Sequence, residues 1–324
     1  MMMLIQWLMV AIAFFLIELA YFSLALRYNI VDRPNERSSH RRVTLRGGGV
    51  VFPISVLAYF LFFGWQYAWF VVGMLAISLI SFADDVSHQP KRLRISIHLL
   101  AVLAMLYQVQ LLAAPWWLVP VWLVVCIGTI NAYNFMDGIN GITVGYGAVV
   151  VASLWVANRW VPFVDESYLL CLAAANLVFG FFNFRKRARC FAGDVGSVGM
   201  AFALLFPVLM LVKETGEPLF LLLFAVYGVD AGLTIAHRLL KKENIFLPHR
   251  QHLFQYLANE FKWPHLRVTT LYMIVQALVS GLLLAGWRWL PATGWWLCMM
   301  AVLLVLVLLH LWAKAYILRT VGKK

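Results

Sequence analysis

Four short segments of this chain gather side chains able to bind phosphate, hold a hard cation and move a proton. The first is Val31-Asp-Arg-Pro-Asn-Glu-Arg-Ser-Ser-His40, which continues through Arg46 to Gly47-Gly48-Gly49. The second is Phe82-Ala-Asp84-Asp85, and the third is Asn131-Ala-Tyr-Asn134-Phe-Met-Asp137-Gly-Ile-Asn140-Gly141. The fourth is Phe191-Ala-Gly-Asp194-Val-Gly-Ser197. Adjacent carboxylates repel each other and share a proton unless a cation joins them. Mg²⁺ suits that task, because it takes a few carboxylate oxygens and fills its other positions with water and phosphate. Asp84-Asp85 also fits a solvated acidic helix end offset by Lys91, Arg92 and Arg94.

Asp137 and Asp194 each stand before glycine-containing turns that lead into apolar runs, the pattern of a helix N-cap. The same geometry makes a helix N-terminus an anion site, so Gly193, Gly196 and Ser197 could face a phosphate. Arg37 and Arg46 carry forked donors that match phosphate oxygens. The amides of Asn131, Asn134 and Asn140 could read a base or a sugar, although Asn140-Gly141 is equally a turn. His40, His249 and His252 are candidate phosphate or proton handlers, and Glu18 is a charge inside an apolar run.

These segments need elements to position them. Of 324 residues, 63% are hydrophobic and 12% charged, too apolar for an ordinary soluble enzyme. Runs long enough to span a bilayer fall at 4–26, 48–65, 67–83, 95–114, 116–135, 141–157, 167–184, 197–212, 218–236, 268–287 and 295–313. The first lacks a cationic start and reads as a retained helix. The expected fold is an all-α polytopic membrane protein, a single-domain bundle of about eleven helices. Its active site would form from loops 27–47, 84–94, 136–141, 185–196 and 237–267.

The net charge of +12 would suggest nucleic acid in a soluble protein, but here it sorts by side. With the N-terminus periplasmic and the C-terminus cytoplasmic, 23 of the 26 Lys and Arg lie on the cytoplasmic side. Trp65, Trp69, Trp116, Trp117, Trp160, Trp287, Trp289 and Trp295 would then form an outer interfacial belt. The four cysteines, Cys126, Cys171, Cys190 and Cys298, show no CxxC spacing and read as inert thiols.

Taken in order, these motifs resemble those of the polyprenyl-phosphate N-acetylhexosamine-1-phosphate transferases. These are bacterial glycosyltransferase family 4 enzymes that start O-antigen and peptidoglycan lipid intermediates. The resemblance implies transfer of a HexNAc-1-phosphate from a UDP-sugar to undecaprenyl phosphate, with UMP released. It implies an inner-membrane enzyme using Mg²⁺ or Mn²⁺, with no nucleic-acid partner, and homodimerisation is open. On that mapping Asp84, Asp85 and Asp194 surround the metal, and Asp84 activates the lipid phosphate. Asn134, Asp137 and Phe191 lie near the nucleotide, with Asn140, Arg37 and Arg46 as further binding residues. Asp230 and His249-Arg250-Gln251-His252 resemble a loop that usually reads His-Ile-His-His, of which only His252 carries over as a catalytic candidate. Asn140 stands where many relatives have Asp. Both departures hint at a different sugar, for instance a 6-deoxy N-acetylhexosamine such as N-acetylfucosamine instead of N-acetylglucosamine. The alternative from another class is a secondary transporter of an anionic metabolite, which would place ionisable groups near the midplane.

Overall fold

The computed structural model describes residues 2–34, 42–245, 247 and 249–321. Arg37 and His40 therefore lie outside the described residues. The chain is helical almost throughout: α1 (Met2–Arg27), α2 (Val51–Phe62), α3 (Ala68–Val86), α4 (Lys91–Gln108), α5 (Leu118–Met136) and α6 (Ile142–Trp160) come first. They are followed by α7 (Glu166–Asn183), α8 (Gly193–Thr215), α9 (Ala225–Leu240), the short α10 (Leu253–Gln255), α11 (His265–Trp289) and α12 (Ala292–Val321). A two-residue hairpin, β1 (Val31–Asp32) against β2 (Thr44–Leu45), follows α1, and Leu45 also bridges to Cys190.

Every apolar run of the sequence is helical, and among the described residues nine helices are long and apolar enough to cross a membrane. Two runs fall short for separate reasons. The helix over Gly48–Phe62 is below spanning length. The other is α4, which begins with Lys91, Arg92 and Arg94 and so loses hydropathy at one end.

The hub is α8, whose most apolar window is 94% buried, against 11% for α12 and 22% for α1. A helix apolar all round must be enclosed by others, and α2, α3, α5 and α6 enclose this one. Small residues set how closely they approach. A Cβ added to Gly49 would stand 2.2 Å from the Gly196 Cα, so the two backbones touch there. Gly49→Ala must push α8 away; a loss of about 1–3 kcal/mol is expected. It should appear as a lower melting midpoint in detergent, and an unchanged midpoint would contradict this packing.

Antiparallel alternation brings the C-terminal ends of α3 and α5 and the N-terminal ends of α4, α6, α8 and α11 to one end of the bundle. At the other end, Trp65, Trp69, Trp116, Trp117 and Trp289 are exposed, as an interfacial belt requires. Trp295 is an exception to the expected belt. It is 1% exposed, packs on Gly286 and donates its indole N–H to the Leu283 carbonyl at 3.0 Å.

Candidate functional site

The converging helix ends enclose a pocket of about 210 Å³. Arg46, Asn134, Asp137, Asn140, Phe191 and Asp194 line it, together with Asp32, Asn183, Ser197, Gln255 and His265. Most are placed by helix termini, and Asp32 and Arg46 by the β1–β2 pair. Asn134 and Asp137 leave the end of α5, and the Asn134 amide donates to Ser197 Oγ at 3.0 Å, tying α5 to the first turn of α8. Asp137 accepts from Thr143 Oγ at 2.5 Å across the turn into α6. Gly141, at φ +81°, makes that turn, and its N–H is held by Asn183 Oδ1 at 2.8 Å.

Beside the pocket, three carboxylates and two guanidiniums form one network. Arg46 Nε donates to Asp85 Oδ1 at 2.6 Å, and its Nη2 lies 3.3 Å from Asp194 Oδ1. Arg94 donates to Asp84 Oδ2 at 2.5 Å and lies 3.3 Å from Asp194 Oδ2. Asp194 is thus shared by both arginines at distances long for charged pairs, which run about 2.7–2.9 Å. Its side chain is 19% exposed, whereas those of Asp84 and Asp85 are 6% and 0%. Asp84 also accepts from the Gln89 N–H at 2.7 Å.

Asp137 is partly covered as a residue, but its carboxyl is closely enclosed. Burial pushes it up to about 7, with Asp194 and Asp85 adding repulsion against the lowering effect of the Thr143 hydroxyl. Because this folded pKa is raised, Asp137 stabilises most below the unfolded carboxylate value near 4. That contribution is lost as pH rises towards 7. Asp137→Asn should therefore flatten part of the fall in melting midpoint between pH 4 and 7; a slope identical to that of the parent protein would refute it.

The expected ligands do not converge as a three-carboxylate cage. Among the described residues, no group of three or more His, Cys, Asp or Glu is arranged to hold a metal ion. Arg46 and Arg94 occupy the space between the acids, and Asp85 has both oxygens engaged. Mg²⁺ needs no such cage, because it commonly binds one or two carboxylates plus substrate phosphates. Asp194, loosely paired and facing the pocket, fits that role; Asp84 and Asp85 do not reach the lining.

His252 is also apart from the pocket. It is 1% exposed, and its Nδ1 lies 3.3 Å from Asp230 Oδ1. Asp230 accepts as well from Tyr272 Oη at 2.6 Å and from the Leu253 N–H at 3.0 Å. That cluster anchors α10, the residues of which put Gln255 on the pocket. Asn140 lines the pocket, but its amide nitrogen is committed to the Arg185 and Lys186 carbonyls at 3.0 and 3.3 Å. Glu18 is 0% exposed, with Cys190 Sγ 3.8 Å from its Oε1.

Sequence reasoning passed over Asn183, Gln255 and His265, and took Arg94 only as one of three cations offsetting Asp84-Asp85. Arg94 lies ten residues on from Asp84, and nothing in the sequence marks its second contact, with Asp194. The other three carry no local signal, because only tertiary contacts bring them in.

Residues 67–212 match the model of glycosyl transferase family 4. That range includes Asp84, Asp85, Asn134, Asp137 and Asp194. A probable undecaprenyl-phosphate N-acetylglucosaminyl 1-phosphate transferase of Bacillus subtilis is 24% identical over 272 residues, 78% of this chain and 76% of that protein. The chain is thus similar to glycosyl transferase family 4 over residues 67–212. A phospho-N-acetylmuramoyl-pentapeptide-transferase of Synechococcus is 26% identical over 281 residues, covering 76% of this chain and 79% of that protein. The enzyme of the same description from Deinococcus radiodurans is 30% identical over 166 residues, 49% of this chain and 47% of that protein.

Proposed function

We propose that this protein transfers an N-acetylhexosamine 1-phosphate from a UDP-sugar to undecaprenyl phosphate and releases UMP. The observation that carries the reading is the shared network of Arg46, Arg94 and Asp194 beside a polar pocket at one end of an apolar bundle. Phosphoryl transfer depends mostly on positioning and on neutralising oxygen charge, and two guanidinium forks beside a carboxylate supply both. An acceptor carried in the bilayer meets a water-soluble donor where a spanning bundle ends in such a pocket.

In this reading Arg46 positions donor phosphate at the pocket wall, and the Asn134 amide and Phe191 ring line the nucleotide's place. Asp137, held near neutrality, is matched to accept a proton at physiological pH. Mg²⁺, carried on the diphosphate and held by Asp194, would supply further neutralisation of oxygen charge. Asp84 anchors Arg94 and leaves proton handling to Asp137. The positive-inside distribution supports a site facing the cytoplasm from the inner membrane. The Bacillus relative makes an N-acetylglucosamine-type donor the first to test, with 6-deoxy donors and an O-antigen role next. The commitment of the Asn140 amide to backbone carbonyls weakens it as a sugar-reading side chain.

The test is incubation of the purified protein with polyprenyl phosphate and a panel of radiolabelled UDP-N-acetylhexosamines. The expected result is UMP release matched by a labelled lipid, with both abolished by EDTA and restored by Mg²⁺. If no donor yields labelled lipid while proteoliposomes accumulate an anionic solute, the transferase reading fails in favour of transport.

A further inference from the structure

We propose that Asp85 is a positioning residue, whose carboxylate caps α8 from another helix and thereby fixes where Asp194 stands. The first turn of a helix leaves backbone N–H groups without intrahelical partners, and a carboxylate there satisfies them and meets the positive end of the helix dipole. The residue preceding α8, Ala192, offers no side-chain acceptor, and no local cap is formed. Asp85 supplies the missing acceptor from the end of α3. Its Oδ1 accepts from the Asp194 N–H at 2.8 Å and its Oδ2 from the Val195 N–H at 3.0 Å.

The fit is close on every side. Gly193 has φ +72°, and a Cβ there would stand 2.5 Å from Asp85 Oδ2 and 2.9 Å from the Gly47 Cα. Arg46 completes the clamp, with Nε on Asp85 and Nη2 on Asp194. The Asp85 side chain is 0% exposed. Its two oxygens meet three donors, and it does not reach the pocket lining. Two consequences follow. The start of α8, where Gly193, Gly196 and Ser197 were expected to face a phosphate, has the neighbouring amides of Asp194 and Val195 already occupied by a protein carboxylate. The adjacent acids also divide their work, with Asp85 holding the helix start and Asp194 facing the pocket.

What Asp194 does rests on the proposed transferase reading; the cap itself does not, and its test needs no substrate. The full chain in nanodiscs is compared as parent, Asp85→Ala, Asp85→Asn and Asp194→Asn by amide hydrogen exchange. Asp85→Ala should speed exchange at residues 194 and 195 about tenfold or more, since losing a cap opens the first turn. The Asp194→Asn variant should stay within about twofold of the parent, because its backbone N–H keeps its acceptor. If Asp85→Ala does not fold, Asp85→Asn, which retains one acceptor oxygen, should show an intermediate increase confined to 193–197 and 46–49. Parent-like exchange in the Asp85 variants, or an increase spread evenly over the bundle, overturns the proposal. Mn²⁺ titrated alone and followed by its EPR signal adds a second criterion. A loss of affinity in Asp85→Asn greater than that in Asp194→Asn would make Asp85 a ligand in its own right and overturn it too.

Discussion

Asp194→Asn is expected to lower UDP-sugar turnover by about 10²–10³-fold, the scale of removing one preorganised electrostatic group from a reacting centre. The fold should survive. The α8 start is held through the backbone N–H groups of Asp194 and Val195, which the substitution leaves in place. The carboxylate itself is partly exposed and only loosely paired, at 3.3 Å to each guanidinium. Neutralising it removes little stability and takes its own negative charge out of the pocket wall. UMP release and the melting midpoint, measured on one preparation, check both halves. Parent-level turnover would remove Asp194 from the chemistry.

Arg46→Ala should be the most destabilising single change at the site. Asp85 is fully covered and Asp194 stands beside it, so truncation leaves a buried carboxylate facing another with one counter-charge gone. Breaking a buried pair by removing one partner costs about 3–5 kcal/mol. Because about a third of the Arg46 side chain is exposed, screening reduces this to roughly 2–4 kcal/mol. Arg46→Lys keeps the charge but loses the fork that reaches two acids at once, so it should recover only part of the stability. Denaturation midpoints of the three proteins give the order, and a Lys variant no better than Ala would show that the fork, not the charge, carries the effect.

Much of this was legible in the residues. The apolar runs found every long helix, because a spanning helix needs its hydropathy locally and leaves little to tertiary context. The spans that fell short did so at α2, by length, and at α4, by its cations. The sequence also brought Asn134, Asp137, Phe191 and Asp194 forward, since each sits at a glycine-marked helix end where exposed backbone groups and chemistry coincide. The pairing of charges was legible only in part: Arg94 was set against Asp84-Asp85, but neither its reach to Asp194 nor the place of Arg46 was. Two neighbouring carboxylates look alike in a sequence, yet one caps a helix 109 residues away and the other holds Arg94. His252 looked like a water-facing base and is instead covered against Asp230, because the fold of α10 turns it inward. Arg37 lies outside the described residues.

The enclosed position of α8 also bears on how the protein is made. Every charged partner of Asp194 (Arg46, Asp85 through its amide, and Arg94) precedes it in the chain. Synthesis runs from the N-terminus, so the receptors for this acidic turn are translated before the turn emerges. The helix that most needs neighbours thus reaches the lipid last among those neighbours that neutralise it, and its insertion completes a socket already waiting.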